Sequence, residues 1–155
     1  MTDTIGPPRG AAFLLAQVGA HAAMRFGQRM GEHGLTPPFA GVLGLVTARP
    51  GMSQQELAKM LGMLPSRMVA LVDELEADGL VQRVRDDVDR RRYALEITTK
   101  GRTALQKIAK VAKAHEDAIC AALTEKEKTT LTTLLGKIAA EQGLTSGVHP
   151  GYRKL

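Results

Sequence analysis

Apolar residues recur at three- and four-residue steps along most of the chain, and the step shortens to two in one short stretch. Leu15, Val18, Ala22, Phe26 and Met30 predict a helix over about 10–31, broken by His33-Gly34-Leu35. Thr36 before Pro37 has the form of an N-cap followed by proline in the first turn, opening a helix to about residue 48 that Arg49-Pro50-Gly51 ends. Ser53 and Glu56 form a capping box for a short helix over about 54–61, stopped by Gly62. Pro65 opens another over about 65–78, with Met68, Leu71, Val72 and Leu75 as its buried stripe and Gly79 as its stop. Tyr93, Leu95 and Ile97 then alternate with Ala94 and Glu96. Strands over 81–85 and 93–97 are expected, joined by a charged hairpin loop. From Thr98 to about residue 123, Leu105, Ile108, Ala112, His115, Ile119 and Ala122 form a heptad-like seam. Thr124 and Glu127 make a second capping box, for a helix to about 142 with Leu131, Leu134, Leu135 and Ile138 on its inner face.

The resulting fold class is mainly α with a small β-hairpin. Two helices joined by the tight turn at Leu61–Pro65 and followed by a hairpin make a winged helix-turn-helix, whose second helix is built to enter the DNA major groove. The expected division is a DNA-binding unit over 36–98 and a helical dimerisation region over 10–31 and 99–142. Termini 1–9 and 143–155 are expected to be flexible.

Composition narrows this picture modestly. In 155 residues the apolar fraction is 44%, enough for one ordinary core, yet aromatics are 3% and Trp is absent, so the core must be aliphatic and Met-rich. The net charge of +5 favours an anionic partner without proving one. One cysteine, Cys120, excludes an internal disulfide and fits a reducing compartment. There is no membrane-length apolar run and no signal-peptide pattern at the start, so a cytoplasmic protein is expected.

The chemistry concentrates in the hairpin loop. Arg85–Arg92 holds four arginines and three aspartates. In isolation such a run reads as a solvated loop. At the tip of a wing, Arg90 and Arg91 instead meet phosphate or a narrow minor groove, while Arg92 flanks the strand. Asp86 and Asp89 are expected to support the wing, one of the two by orienting an arginine through a bidentate pair without touching DNA. On the recognition helix, Ser66 and Arg67 are the base-reading candidates and Ala70 shares their face.

The stretches "LTPPFAGVLGLV", "PGMSQQELAKMLG", "VALVDELEADGLVQRVRDDVDRRRYALEITTKG" and "LTEKEKTTLTTLL" resemble the MarR family of multiple-antibiotic-resistance regulators, over about 35–135. The most specific part is Asp86-x-x-Asp89-Arg90-Arg91, followed by Leu95-x-Ile97-Thr98 and Gly101. The resemblance implies six or so helices with a wing, and homodimers formed through the first and last two helices. It also implies pseudo-palindromic double-stranded operators, repression in most cases, and release by small, often aromatic or anionic, effectors. This chain departs from the pattern where the recognition helix begins. Leu64 stands where Asp or Ser often caps the helix, Ala70 where a polar or basic residue is common, and Glu74 adds a negative charge. By the same analogy the effector crevice lies between the first helices and the winged domain, and His21, Met24, Phe39 and Val42 are its candidate lining, with core packing the competing account of each.

The remaining features are plainer. Four histidines, His21, His33, His115 and His149, lack metal-ligand spacing, and no cofactor motif is present. His115 lies on the seam, where packing competes with an effector or pH role. Cys120 has no neighbouring cation and reads as an inert thiol. No nucleophile–base pair, phosphate loop or acid pair supports an enzyme. The competing class is a winged-helix module that binds protein without specific DNA binding, a reading kept open by the weakly basic recognition helix.

Overall fold

A computed structural model of the chain describes residues 10–149 and Tyr152. The elements, in order, are α1 (Ala11–Gly31), α2 (Pro37–Ala48), α3 (Gln54–Leu61), α4 (Pro65–Ala77), β1 (Val81–Arg85), β2 (Tyr93–Ile97), α5 (Thr99–Ile119) and α6 (Glu125–Glu141). Local signals account for most of these ends. Thr36 accepts the Phe39 N–H at 3.4 Å, and Thr98 accepts the Gly101 N–H at 3.0 Å. Both capping boxes form, Ser53 with Glu56 and Thr124 with Glu127. Gly62 ends α3 at φ 66°, a left-handed conformation that costs glycine little.

The strands pair antiparallel, Val81 opposite Ile97 through to Arg85 opposite Tyr93. The outer edge of β2 is not free. Ser53 bridges Ala94, and the Leu95 N–H donates to the Met52 carbonyl at 2.9 Å, so the wing is anchored to the loop before α3.

One core joins α2, α3, α4 and the hairpin through Val42, Leu43, Val46, Leu57, Leu61, Met68, Val72, Leu75, Val81 and Leu95. Methionines fill it, as the shortage of aromatics requires: Met30, Met52, Met63 and Met68 are all buried. The core also crosses the expected boundary at residue 98. Ala104, Ile108 and Val111 of α5 and Met30 of α1 belong to it, because the apolar side of α5 lies over α2 and β2 before it reaches α1.

Three expectations change. α5 ends at Ile119 and not near 123: Cys120 leaves the helix, and Thr124 must be extended (φ −70°, ψ 162°) to cap α6. The tail is not wholly loose, since Tyr152 is buried and donates its hydroxyl to the Pro37 carbonyl at 3.0 Å, against Gly41. Among the described residues the inner face of α6 has no cover: Leu131, Leu134, Leu135 and Ile138 are all exposed, as are Phe13, Leu14, Leu15 and Val18 of α1. The expected flexible segment 1–9 lies outside the described residues.

Candidate nucleic-acid interface

The recognition helix α4 is set by the turn before it. Gly62 reverses the chain, and the Met63 N–H closes onto the Ala58 carbonyl at 2.9 Å. Met68, Val72 and Leu75 then bury one side of α4, which turns Ser66, Arg67 and Ala70 outward. These three line one shallow surface depression with Leu64, Leu71 and Glu74. Leu64 occupies the N-cap, makes no capping hydrogen bond and is 69% exposed.

The wing is a turn folded by its own acids. Asp86 accepts backbone N–H groups of Val88 at 2.8 Å and Asp89 at 3.3 Å, and Asp89 accepts the Arg91 N–H at 3.0 Å. Those backbone donors, first Val88 and then Asp89, hold the Asp86 carboxyl below the usual carboxylate range. Both aspartates thus hold the wing turn, though not by the expected route through an arginine. Among the described residues neither forms a bidentate pair with an arginine; Asp86 binds two backbone amides of a tight turn and Asp89 binds one. Arg90 and Arg91 are left exposed and without an ion-pair partner among the described residues.

Arg92 takes a different course. Its guanidinium meets the Glu56 carboxylate at 2.5 Å, so the foot of the wing is tied to the start of α3. Glu56 already accepts the Ser53 N–H at 2.7 Å and its hydroxyl at 2.9 Å. The Ser53 amide first, then Arg92, lowers the Glu56 pKa to about 2.

Arg83 carries an interaction that reading the sequence did not single out. From β1 it reaches Asp73 at 2.5 Å and Gln54 at 3.1 Å, and it pairs with Glu76, which also accepts the Arg83 N–H at 3.0 Å. One side chain therefore fixes β1 against both helices of the helix-turn-helix. Two acids three residues apart on α4, followed by a strand that carries Arg83, were the available signal.

The four candidate effector residues fall into two environments. Phe39 and Val42 are core residues, whereas His21 and Met24 are exposed on α1. The apolar character that nominated Phe39 and Val42 is used in packing α2. A cationic cluster lies further along α1. The His115 ring packs on Phe26 with centroids 5.3 Å apart, and its pKa is lowered by burial and then by Arg29, Arg25 and His21. Its Nδ1 and the Arg29 Nε are buried without a hydrogen-bond partner among the described residues. Cys120 is a half-buried free thiol. Among the described residues no His, Cys, Asp or Glu cluster could hold a metal, and no helix is long and apolar enough to cross a membrane.

Known proteins share this arrangement. The model of the MarR family matches residues 33–92, the whole span from the turn before α2 to Arg92. A transcriptional regulatory protein for the hcr operon of Thauera aromatica is 34% identical over 112 residues, 72% of this chain and 68% of that protein. The chain belongs to the MarR family. The match extends further along another relative: the HTH-type transcriptional repressor Rv2887 of Mycobacterium tuberculosis is 26% identical across 83% of this chain and 93% of its own length. The structure of the transcriptional repressor CouR bound to a 23-mer DNA duplex superposes with a TM-score of 0.74 at 34% identity, covering 84% of this chain and 92% of that one. The protein is thus a DNA-binding transcriptional regulator of the winged-helix type.

Proposed function

We propose that the protein is a ligand-responsive repressor that binds a pseudo-palindromic operator as a homodimer. The observation that carries this reading is the pairing of two faces on one chain. One is an outward face of α4 and the wing, where the side chains of Ser66, Arg67, Arg90 and Arg91 have no partner among the described residues. The other is an uncovered apolar face on α1 and α6. A two-fold partner on the second face would bring two copies of the first to a duplex, with half-sites about one helical turn apart. CouR, a named repressor held on DNA, supports the first half.

The effector belongs to the cationic cluster between α1 and α5. Arg25 and Arg29 supply positive charge, the Arg29 Nε–H and the His115 Nδ1 are buried without a partner among the described residues, and the Phe26 and His115 rings give an aromatic surface, which together suit a small aromatic carboxylate. Binding there would bear on α5, the helix that leads back to the wing.

The test is a titration in two parts. Sedimentation at micromolar concentration should give a dimer, and a selected duplex should compete with benzoate-class acids for the protein. Effector and DNA must weaken each other by the same factor. A monomer at that concentration, or an acid that raises the melting temperature while operator affinity stays fixed, contradicts the corresponding part of the proposal.

A further inference from the structure

The sequence breaks a local rule at the point where α4 meets DNA. The other helices of the winged core begin with Thr36, Ser53 and Thr98, each accepting a backbone N–H. α4 begins with Leu64, which caps nothing and exposes more of its apolar surface than almost any other large residue. A Ser, Thr, Asp or Asn here would hold the helix better. Places where such a rule is broken without a packing gain tend to be functional. No packing gain is visible, because Leu64 lies in the open and not in the core.

Its neighbours extend the apolar surface. Ala70 lies on the same depression, and Val69, its neighbour in the chain, is also exposed. Over its length α4 offers one cation, Arg67, against three carboxylates, Asp73, Glu74 and Glu76. Asp73 and Glu76 are turned to Arg83, but Glu74 borders the depression itself. This helix therefore cannot draw its discrimination from several charged contacts, as a basic recognition helix can. In the major groove the apolar feature that marks a base pair is the thymine C5-methyl.

We infer that Leu64, supported by Ala70, reads the methyl group of a thymine in each half-site, next to the one position where Arg67 pairs with a guanine. This rests on α4 being the major-groove helix. The wing arginines supply affinity that does not depend on sequence, and the apolar patch supplies the choice. The side chains of Leu64, Val69 and Ala70 cannot hydrogen-bond to phosphate, so an apolar base edge is the group they suit.

The experiment begins with duplexes selected from a random pool by the full-length protein. In the winning duplex each thymine is replaced singly by deoxyuridine, which removes the methyl and leaves pairing intact. Binding is then measured for the wild type, Leu64→Ala and Leu64→Ser. The wild type should lose about fourfold at one thymine per half-site, and about fifteenfold when both are changed. Leu64→Ala should lose less than twofold on the same replacement. Leu64→Ser should melt at a higher temperature than the wild type, through its restored cap, and should ignore the methyl as Leu64→Ala does. Deoxyuridine without effect anywhere overturns the inference, as does a methyl dependence that survives intact in Leu64→Ala. Those results leave sequence-specific binding standing. A random pool that yields no enriched sequence removes the DNA-reading role of α4, and the inference with it.

Discussion

Two regions of this molecule carry the same kind of apolar stripe and treat it differently. In α3 and α4, Leu57, Leu61, Met68, Val72 and Leu75 are all buried against one another and against the hairpin. In α6, Leu131, Leu134, Leu135 and Ile138 repeat at equally regular helical spacing, yet no residue of that helix is buried. Fully burying such side chains is worth about 1.5–3 kcal/mol each. The winged domain has collected that stabilisation within one chain. The terminal helices have deferred it to a second one, so their stability should depend on protein concentration while the winged core's should not. What differs is not propensity but whether enough chain is nearby to provide a second layer.

The sharpest break of the closed region is at Gly101. A Cβ there would stand 2.0 Å from the Leu80 carbonyl oxygen and 2.7 Å from the Ile97 side chain, and the first of these is backbone that cannot move aside. Gly101→Ala should lower stability by about 3 kcal/mol or more, read by urea unfolding. The open region should respond through assembly. Leu134→Glu with Leu135→Glu places two charges on the uncovered face of α6. The variant should sediment as a monomer with its winged domain still folded by circular dichroism, and operator affinity should fall about a hundredfold or more as the second half-site is lost. A folded dimer with unchanged affinity would show that α6 is not the contact.

Smaller effects separate wing from helix. Arg90→Ala and Arg91→Ala should each weaken binding to most sequences by about tenfold at moderate salt, and each should shallow the salt dependence by about one unit. Arg67→Ala should instead cost about 1–3 kcal/mol on the preferred site alone, relaxing the choice at one base. Binding isotherms on selected and scrambled duplexes at several salt concentrations tell the two apart. The smallest effect concerns the clasp of Glu56 with Ser53 and Arg92. Its folded pKa of about 2 lies under the ordinary 4.5, so the contribution of Glu56 is complete above about pH 5 and is lost as pH falls through 2. Glu56→Gln should flatten that part of the acid-unfolding curve; because the carboxylate is half exposed, the change will be modest.

What could be read from the chain beforehand was what neighbours in sequence decide. Thr36, Ser53 with Glu56, Thr98 and Thr124 with Glu127 are caps made within four residues, and they set the helix starts correctly. The wing and its two exposed arginines followed from the alternation at Tyr93–Ile97 and the charge run before it. Partnerships across the fold were not legible. Arg83 crosses 29 residues to Gln54, Arg92 pairs back to Glu56, and Tyr152 reaches Pro37 from 115 residues away. Phe39 and Val42 show the converse: their type fits a pocket lining as well as a core, and only the packing of α2 decides between them.

The close approach at Gly101 has a mechanical consequence. It presses the first turn of α5 onto Leu80, just before β1, and onto Ile97 at the end of β2, while Ala104, Ile108 and Val111 lock the next turns into the winged core and His115 meets α1 beyond it. A helix of 21 residues is about 32 Å long. With its near end clamped so tightly, α5 acts as a lever and not as a hinge. A change of about 6° in its setting at the far end would swing the wing by about 3.4 Å, the rise of one base pair along a strand. Adjustments too small to disturb the core can therefore move the two halves of an operator contact out of step.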